Sequence, residues 1–88
     1  MYYLDELFDV VERFNIAHEG VSKVFIEISQ DTLMIELFFY KHHKYNALSP
    51  ICEFHPLSVF KGNAGVVELE RRLQYILDLV EKESKDNT

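Results

Sequence analysis

An 88-residue chain has room for one domain, and with 48% apolar residues it can bury a core, which excludes disorder over most of its length. The formal net charge is −6, from nine Lys and Arg against fifteen Asp and Glu, so the chain lacks the basic footprint of a general phosphate-backbone binder. Cys52 is the only cysteine, which excludes an internal disulfide and favours a reducing compartment.

The sequence opens Met1-Tyr2-Tyr3 and runs into Asp5 and Glu6, unlike a basic-then-apolar leader. Its longest apolar stretch, Leu33 to Tyr40, is interrupted by Glu36 and too short to span a bilayer. These features predict a cytoplasmic protein with no membrane segment and no direct nucleic-acid binding. The charge is unevenly spread: residues 1–20 hold five acids and one base, while 41–61 hold three bases, one acid and three histidines. An acidic N-terminal helix can steer toward a basic partner, although the same charge also serves solubility.

Residues 3–14 read as an amphipathic helix. Leu4, Leu7, Phe8, Val11 and Phe14 keep the three-four spacing of one apolar stripe, with Asp5, Asp9 and Glu12 on the outer side. Asp5 and Glu6 fall in the first turn, where carboxylates favour the positive end of the helix dipole. Asn15 is expected to end the helix in the left-handed conformation, with Ile16 folding back on Val11. Ala17-His18-Glu19-Gly20 then leads to the first strand.

Val24 to Tyr40 reads as a β-hairpin turning at Ser29-Gln30-Asp31-Thr32. Opposing Ile28 with Leu33 pairs Ile26 with Ile35 and Val24 with Leu37, and Phe39 extends an entirely apolar row. The other face pairs Glu27 with Met34, Phe25 with Glu36 and Lys23 with Phe38, then adds Tyr40. A slip of one residue would turn the apolar row to solvent, so this register is strongly specified.

After Tyr40 comes a polar, turn-rich stretch, Lys41 to Ser49, expected to be solvated. Pro50 to Pro56 reads as a third strand, confined to an edge because proline cannot donate to a ladder. Leu57, Val59 and Phe60 are expected to cover the core. The second helix is placed at about Ala64 to Glu83, with Asn63 as its N-cap. Its buried stripe is Val66, Leu69, Leu73, Ile76, Leu77 and Val80, and Val67, Tyr75 and Leu79 widen it. Glu68 with Arg72, Asp78 with Lys82 and Glu81 with Lys85 stand at helical ion-pair spacing.

The fold expected is α+β over a single domain, residues 1–88, with 84–88 a frayed C-terminal tail. Its order is helix, β-hairpin, short edge strand, helix, with both helices on one face of the antiparallel sheet. The competing arrangement places one helix on each face, which would bury Glu27 and Glu36 without partners at high cost.

Three chemical readings compete with plainer ones. His42, His43, Cys52 and His55 include ligand types for zinc, and Cys52-x-x-His55 has suitable spacing. Adjacent histidines diverge in an extended segment, however, and Cys52 and His55 point to opposite faces of a strand. The plainer reading is a buried thiol beside a solvated loop. Nucleophilic use of Cys52 lacks an activating histidine, and the carboxylates of Glu27 and Glu36 are diagonal with no cleft between them. No catalytic residue, metal or cofactor is therefore expected, and the chain does not read as an enzyme. The functional candidate is the second face of the hairpin, where Phe25, Met34, Phe38 and Tyr40 stand among Glu27 and Glu36, more apolar than a solvated face requires. Such a surface fits a stoichiometric protein binder of the inhibitor, antitoxin, immunity or anti-defence kind. A homodimeric assembly protein is the alternative, and a small metal-binding protein or enzyme built on the histidine region is the second.

Overall fold

Ser22–Ser29 (β1) and Thr32–Phe39 (β2) pair antiparallel in the expected register, with Ile26 opposite Ile35, Val24 opposite Leu37 and Phe25 opposite Glu36. The structure is a computed structural model that describes residues 2–86, with side chains through residue 84. Gln30 and Asp31 alone make the turn, and Gln30 accepts a φ of 52° to close it. Ile51–Pro56 (β3) adds antiparallel to β2, giving the order β1-β2-β3 with β3 at an edge, as Pro50 just before it and Pro56 at its end require.

Leu4–Ala17 (α1) precedes the sheet, and a 3-10 turn, Leu57–Phe60, leads from β3 into Gly62–Asp86 (α2). Both helices lie on one face. Leu7, Val10 and Val11 of α1 join Leu69, Leu73, Ile76, Leu77 and Val80 of α2 in one cluster with Val24, Leu33, Ile35, Leu37 and Phe39. Phe60 and Leu57 close it from the 3-10 turn. The turn approaches α2 so closely that a Cβ on Gly65 would stand 1.9 Å from the carbonyl carbon of Phe60.

Several local expectations are corrected. The buried stripe of α1 is Leu7, Val10, Val11 and Phe14, so Leu4 and Phe8 face solvent. Both stripes fit a three-four spacing, and packing beside α2 selects the one containing Val10. Asn15 does not stop α1, which continues to Ala17, and Ile16 is exposed rather than folded back. The Asn15 side chain is committed elsewhere: its amide donates to the Val24 carbonyl at 3.0 Å and its oxygen accepts the Val24 N–H at 2.8 Å. Val59 points outward.

At the start of α2, the Lys61 carbonyl already accepts the Gly65 N–H at 3.1 Å, so Asn63 lies inside the helix instead of capping it. Glu68 pairs with Arg71, not Arg72, because Arg72 reaches across to β3. Asp78 accepts from Gln74 at 2.9 Å. The pairing of Glu81 with Lys85 lies outside the described side chains. The tail expected to fray from Ser84 is helical to Asp86, and residues 87 and 88 lie outside the described part.

Candidate interaction surface

Alternation along three paired strands sorts every side chain of the sheet onto one of two faces. The face away from the helices carries Lys23, Phe25 and Glu27 from β1 and Met34, Glu36 and Phe38 from β2, with Tyr40 just beyond. All six expected contact residues, Phe25, Glu27, Met34, Glu36, Phe38 and Tyr40, therefore come together. Phe25 is 47% exposed and Tyr40 52% exposed, which shows that no helix covers them.

The aromatic members support one another. Phe38 stacks near-parallel on Phe25 with ring centres 6.4 Å apart and meets Tyr40 edge-on at 5.3 Å. The Lys23 ammonium sits 5.7 Å from the centre of the Phe25 ring. Phe38, half-buried between its neighbours, fixes the geometry of the more exposed pair. Among the described residues, no ion pair engages Glu27 or Glu36, so both carboxylates are available to a partner.

Two residues of this face escaped the sequence reading. Phe54 stands opposite Met34 and Cys52 opposite Glu36, so both project outward from β3. Phe54 is 69% exposed and Cys52 is exposed as well, which overturns its reading as a buried thiol. The sequence of β3 alone does not decide the matter, since both parities carry apolar residues; the register of Phe54 opposite Met34 does. The local pattern misleads because Cys52 and Phe54 look like the core-facing parity.

The inward parity of β3 instead carries Ile51, Glu53 and His55. Glu53 Oε1 accepts from His55 Nε2 at 2.8 Å and from Arg72 Nη2 at 3.1 Å. Burial pushes the Glu53 carboxyl up, but the hydrogen bonds from His55 and Arg72 outweigh it and hold the group below its ordinary range. The His55 ring meets Phe60 edge-on at 5.8 Å. A carboxylate on the helix side of the sheet is thus tolerated because α2 supplies its counter-charge. Arg72 Nε stays buried without a partner, a residual cost of this arrangement.

The histidine stretch is an exposed loop, as expected, but its half-buried members are tied down by hydrogen bonds. His42 Nδ1 accepts the N–H groups of Lys44 and Tyr45, both at 3.0 Å, which leaves Nε2 to donate to Ser84 Oγ at 3.1 Å. The chain turns here, so the His42 and His43 rings stack 4.8 Å apart instead of diverging. Lys44 pairs with Glu83 at 2.9 Å, tying the loop to the end of α2. Hydrogen bonding to Glu83 raises the Lys44 ammonium above its ordinary value, and bonding to Lys44 lowers the Glu83 carboxyl. Cys52 and His55 lie on opposite sheet faces, and among the described residues no cluster of three metal-ligating side chains forms.

Compared with protein-family models, with curated proteins and with solved structures, the chain matches none of them. Among the described residues no helix is long and apolar enough to cross a membrane.

Proposed function

We propose that this chain is a protein-binding module that acts by stoichiometric occupation of a macromolecular partner, in the manner of an inhibitor, antitoxin, immunity or anti-defence factor. The observation that carries the reading is the uncovered aromatic run Phe25–Phe38–Tyr40 on a sheet whose helices both pack on the other side. Pre-stacked aromatic rings lose little freedom on binding and desolvate a large area, the properties of interface hot spots. Glu27 and Glu36 stand beside that run on a chain of net charge −6, which supports a partner with a basic surface.

The test is a capture from the native host with wild-type and Tyr40→Ala baits, followed by titration of whatever distinguishes them. Tyr40→Ala and Phe38→Ala are expected to weaken binding at least ~30-fold, since truncating a central interface aromatic costs ~2 kcal/mol or more. Their melting temperatures should hardly change. A partner held equally by wild type and both variants would remove the aromatic run from the interface. Glu27→Lys and Glu36→Lys should act mainly on the association rate and its salt dependence.

A further inference from the structure

We propose that β3 is the pairing edge of a two-fold symmetric homodimer, in which the strand adds antiparallel to its own copy and joins two three-stranded sheets into one. This uses the edge of the sheet, not its outer face, and stands apart from the partner reading above.

Backbone parity is the first argument. Val24 turns its N–H and C=O toward Asn15, away from β2, so Leu37 opposite it turns its own groups toward β3. Ile51, opposite Leu37, therefore bonds to β2, and alternation sends the backbone groups of Cys52 and Phe54 outward. Leu57 confirms the count: its N–H returns inward to the Asp31 carbonyl at 2.7 Å. Among the described residues no loop, turn or cap hydrogen bond engages the N–H of Cys52 or Phe54, in keeping with that parity. Pro50 and Pro56 share the outward parity, so each lacks an N–H only where none is needed within the sheet. They also bound the open edge on both sides. A short edge framed by prolines admits one copy of itself in a closed pair and resists open-ended stacking.

Apolar surface flanks that edge on both faces. Phe54 is exposed on the outer side. On the inner side an open groove of about 560 Å³ runs between β3 and α2, where Ile51, Ile76, Leu79 and Val80 lie among the charged Glu53, Lys82 and Glu83. Tyr75 and Leu79 of α2 are 54% and 48% exposed. Tyr75 lies under the Arg72 guanidinium, which itself reaches β3, so both residues border the same edge.

A register centred on Cys52 fits these features. The N–H of each Cys52 then meets the carbonyl of the other, and each Phe54 N–H meets the carbonyl of the other copy's Pro50. The register avoids placing Glu53 opposite Glu53, and it brings the two α2 helices together at Tyr75 and Leu79.

Charge favours this edge over β1. At β1 the Ser22 N–H already bonds to the His18 carbonyl at 3.1 Å and Val24 is held by Asn15. The groove beside β1 carries Glu12 and Glu19 against Lys23, and none of the three has an ion-pair partner among the described residues, so two copies would bring net negative charge together there. Along β3, Glu53 is matched by Arg72 and Glu83 by Lys44.

The experiment is light scattering coupled to size exclusion, on wild type and four variants, with a parallel mild oxidation. Wild type should elute at twice the 10.4 kDa chain mass. Oxidation should yield a Cys52–Cys52 disulfide-linked dimer, because hydrogen-bonded partners across antiparallel strands stand about 5.5 Å apart at Cα. Phe54→Pro removes one outward N–H without touching the bonds to β2, and should weaken dimerisation at least ~100-fold. Leu79→Glu, on an exposed helix position, tests the same interface should the proline variant fail to fold, and should also give monomer. Phe38→Ala and Tyr40→Ala should leave the dimer intact. Monomer at all concentrations up to about 100 μM would overturn the proposal, given the affinity a specific dimer needs. A dimer that survives Leu79→Glu, or one lost with Phe38→Ala, would overturn it equally.

Discussion

The two faces of the sheet are written in alternate residues of the same strands, yet they obey different rules. The inner face is aliphatic through Val24, Leu33, Ile35 and Leu37, and it admits polar groups at its margins: Glu53 on β3, to which α2 supplies Arg72, and Ser22 at the start of β1. The outer face mixes aromatic rings with carboxylates and has no cover. What separates their carboxylates is not mean hydropathy but whether each has a fixed partner. Glu53 has two, whereas Glu27 and Glu36 have none among the described residues and keep water instead. Polar residues can therefore mark the helix side of a strand as long as the helix is built to meet them.

The largest effect should come from exchanging the rules. Ile35→Asp places an unpartnered charge in a site 1% exposed and should unfold the domain, because several kcal/mol rivals its whole stability. Glu27→Lys, one pleat away on the other face, should stay within about 0.5 kcal/mol of wild type. Equal damage in thermal melts would erase the distinction between the faces.

A middling effect tests the polar exception. Glu53→Gln should cost about 1–2 kcal/mol at neutral pH, because a charged acceptor is lost beside a half-buried guanidinium. Since the folded-state carboxyl lies below its ordinary value of 4.5, its contribution is complete above that value and disappears as pH falls through the lower folded one. The gap in melting temperature between wild type and Glu53→Gln should therefore close on acidification below about pH 4. A gap that stays constant down to pH ~3 would mean that Arg72 does not hold Glu53 as a carboxylate.

The smallest effect concerns the turn that sets which residue goes to which face. Gln30 holds a φ of 52°, a conformation glycine adopts freely. Gln30→Gly should stabilise by roughly 0.5–1 kcal/mol, relief of left-handed strain minus the extra freedom of the unfolded glycine. A lower melting temperature would show that the Gln30 side chain supports the turn in some other way.

The same contrast explains which parts of the structure the sequence disclosed. In β1 and β2 one parity is wholly apolar, so burial could choose a single register and both faces followed. β3 has apolar residues on both parities, Ile51 against Cys52 and Phe54, and only Arg72, nineteen positions away along the chain, decides between them. That is why Phe54 was missed and Cys52 was placed inside. In α1 two overlapping stripes share Leu7, Val11 and Phe14, and the choice of Val10 over Leu4 and Phe8 depends on where α2 lies. Asn15 and His42 were read from local chemistry as a helix stop and a solvated loop residue. Each is instead spent on a distant element, β1 and Ser84 respectively.

The Asn15 contact also makes a built-in reporter. The Val24 amide points out of the sheet and bonds to a side chain of α1 rather than to another strand. Its hydrogen exchange with solvent is therefore gated by the lifting of α1, while the neighbouring amides that bond to β2 wait for the hairpin itself to part. Comparing Val24 with Phe25 in one exchange experiment would separate the free energy of undocking the first helix from that of opening the sheet. Asn15→Ala would abolish that protection at Val24 alone.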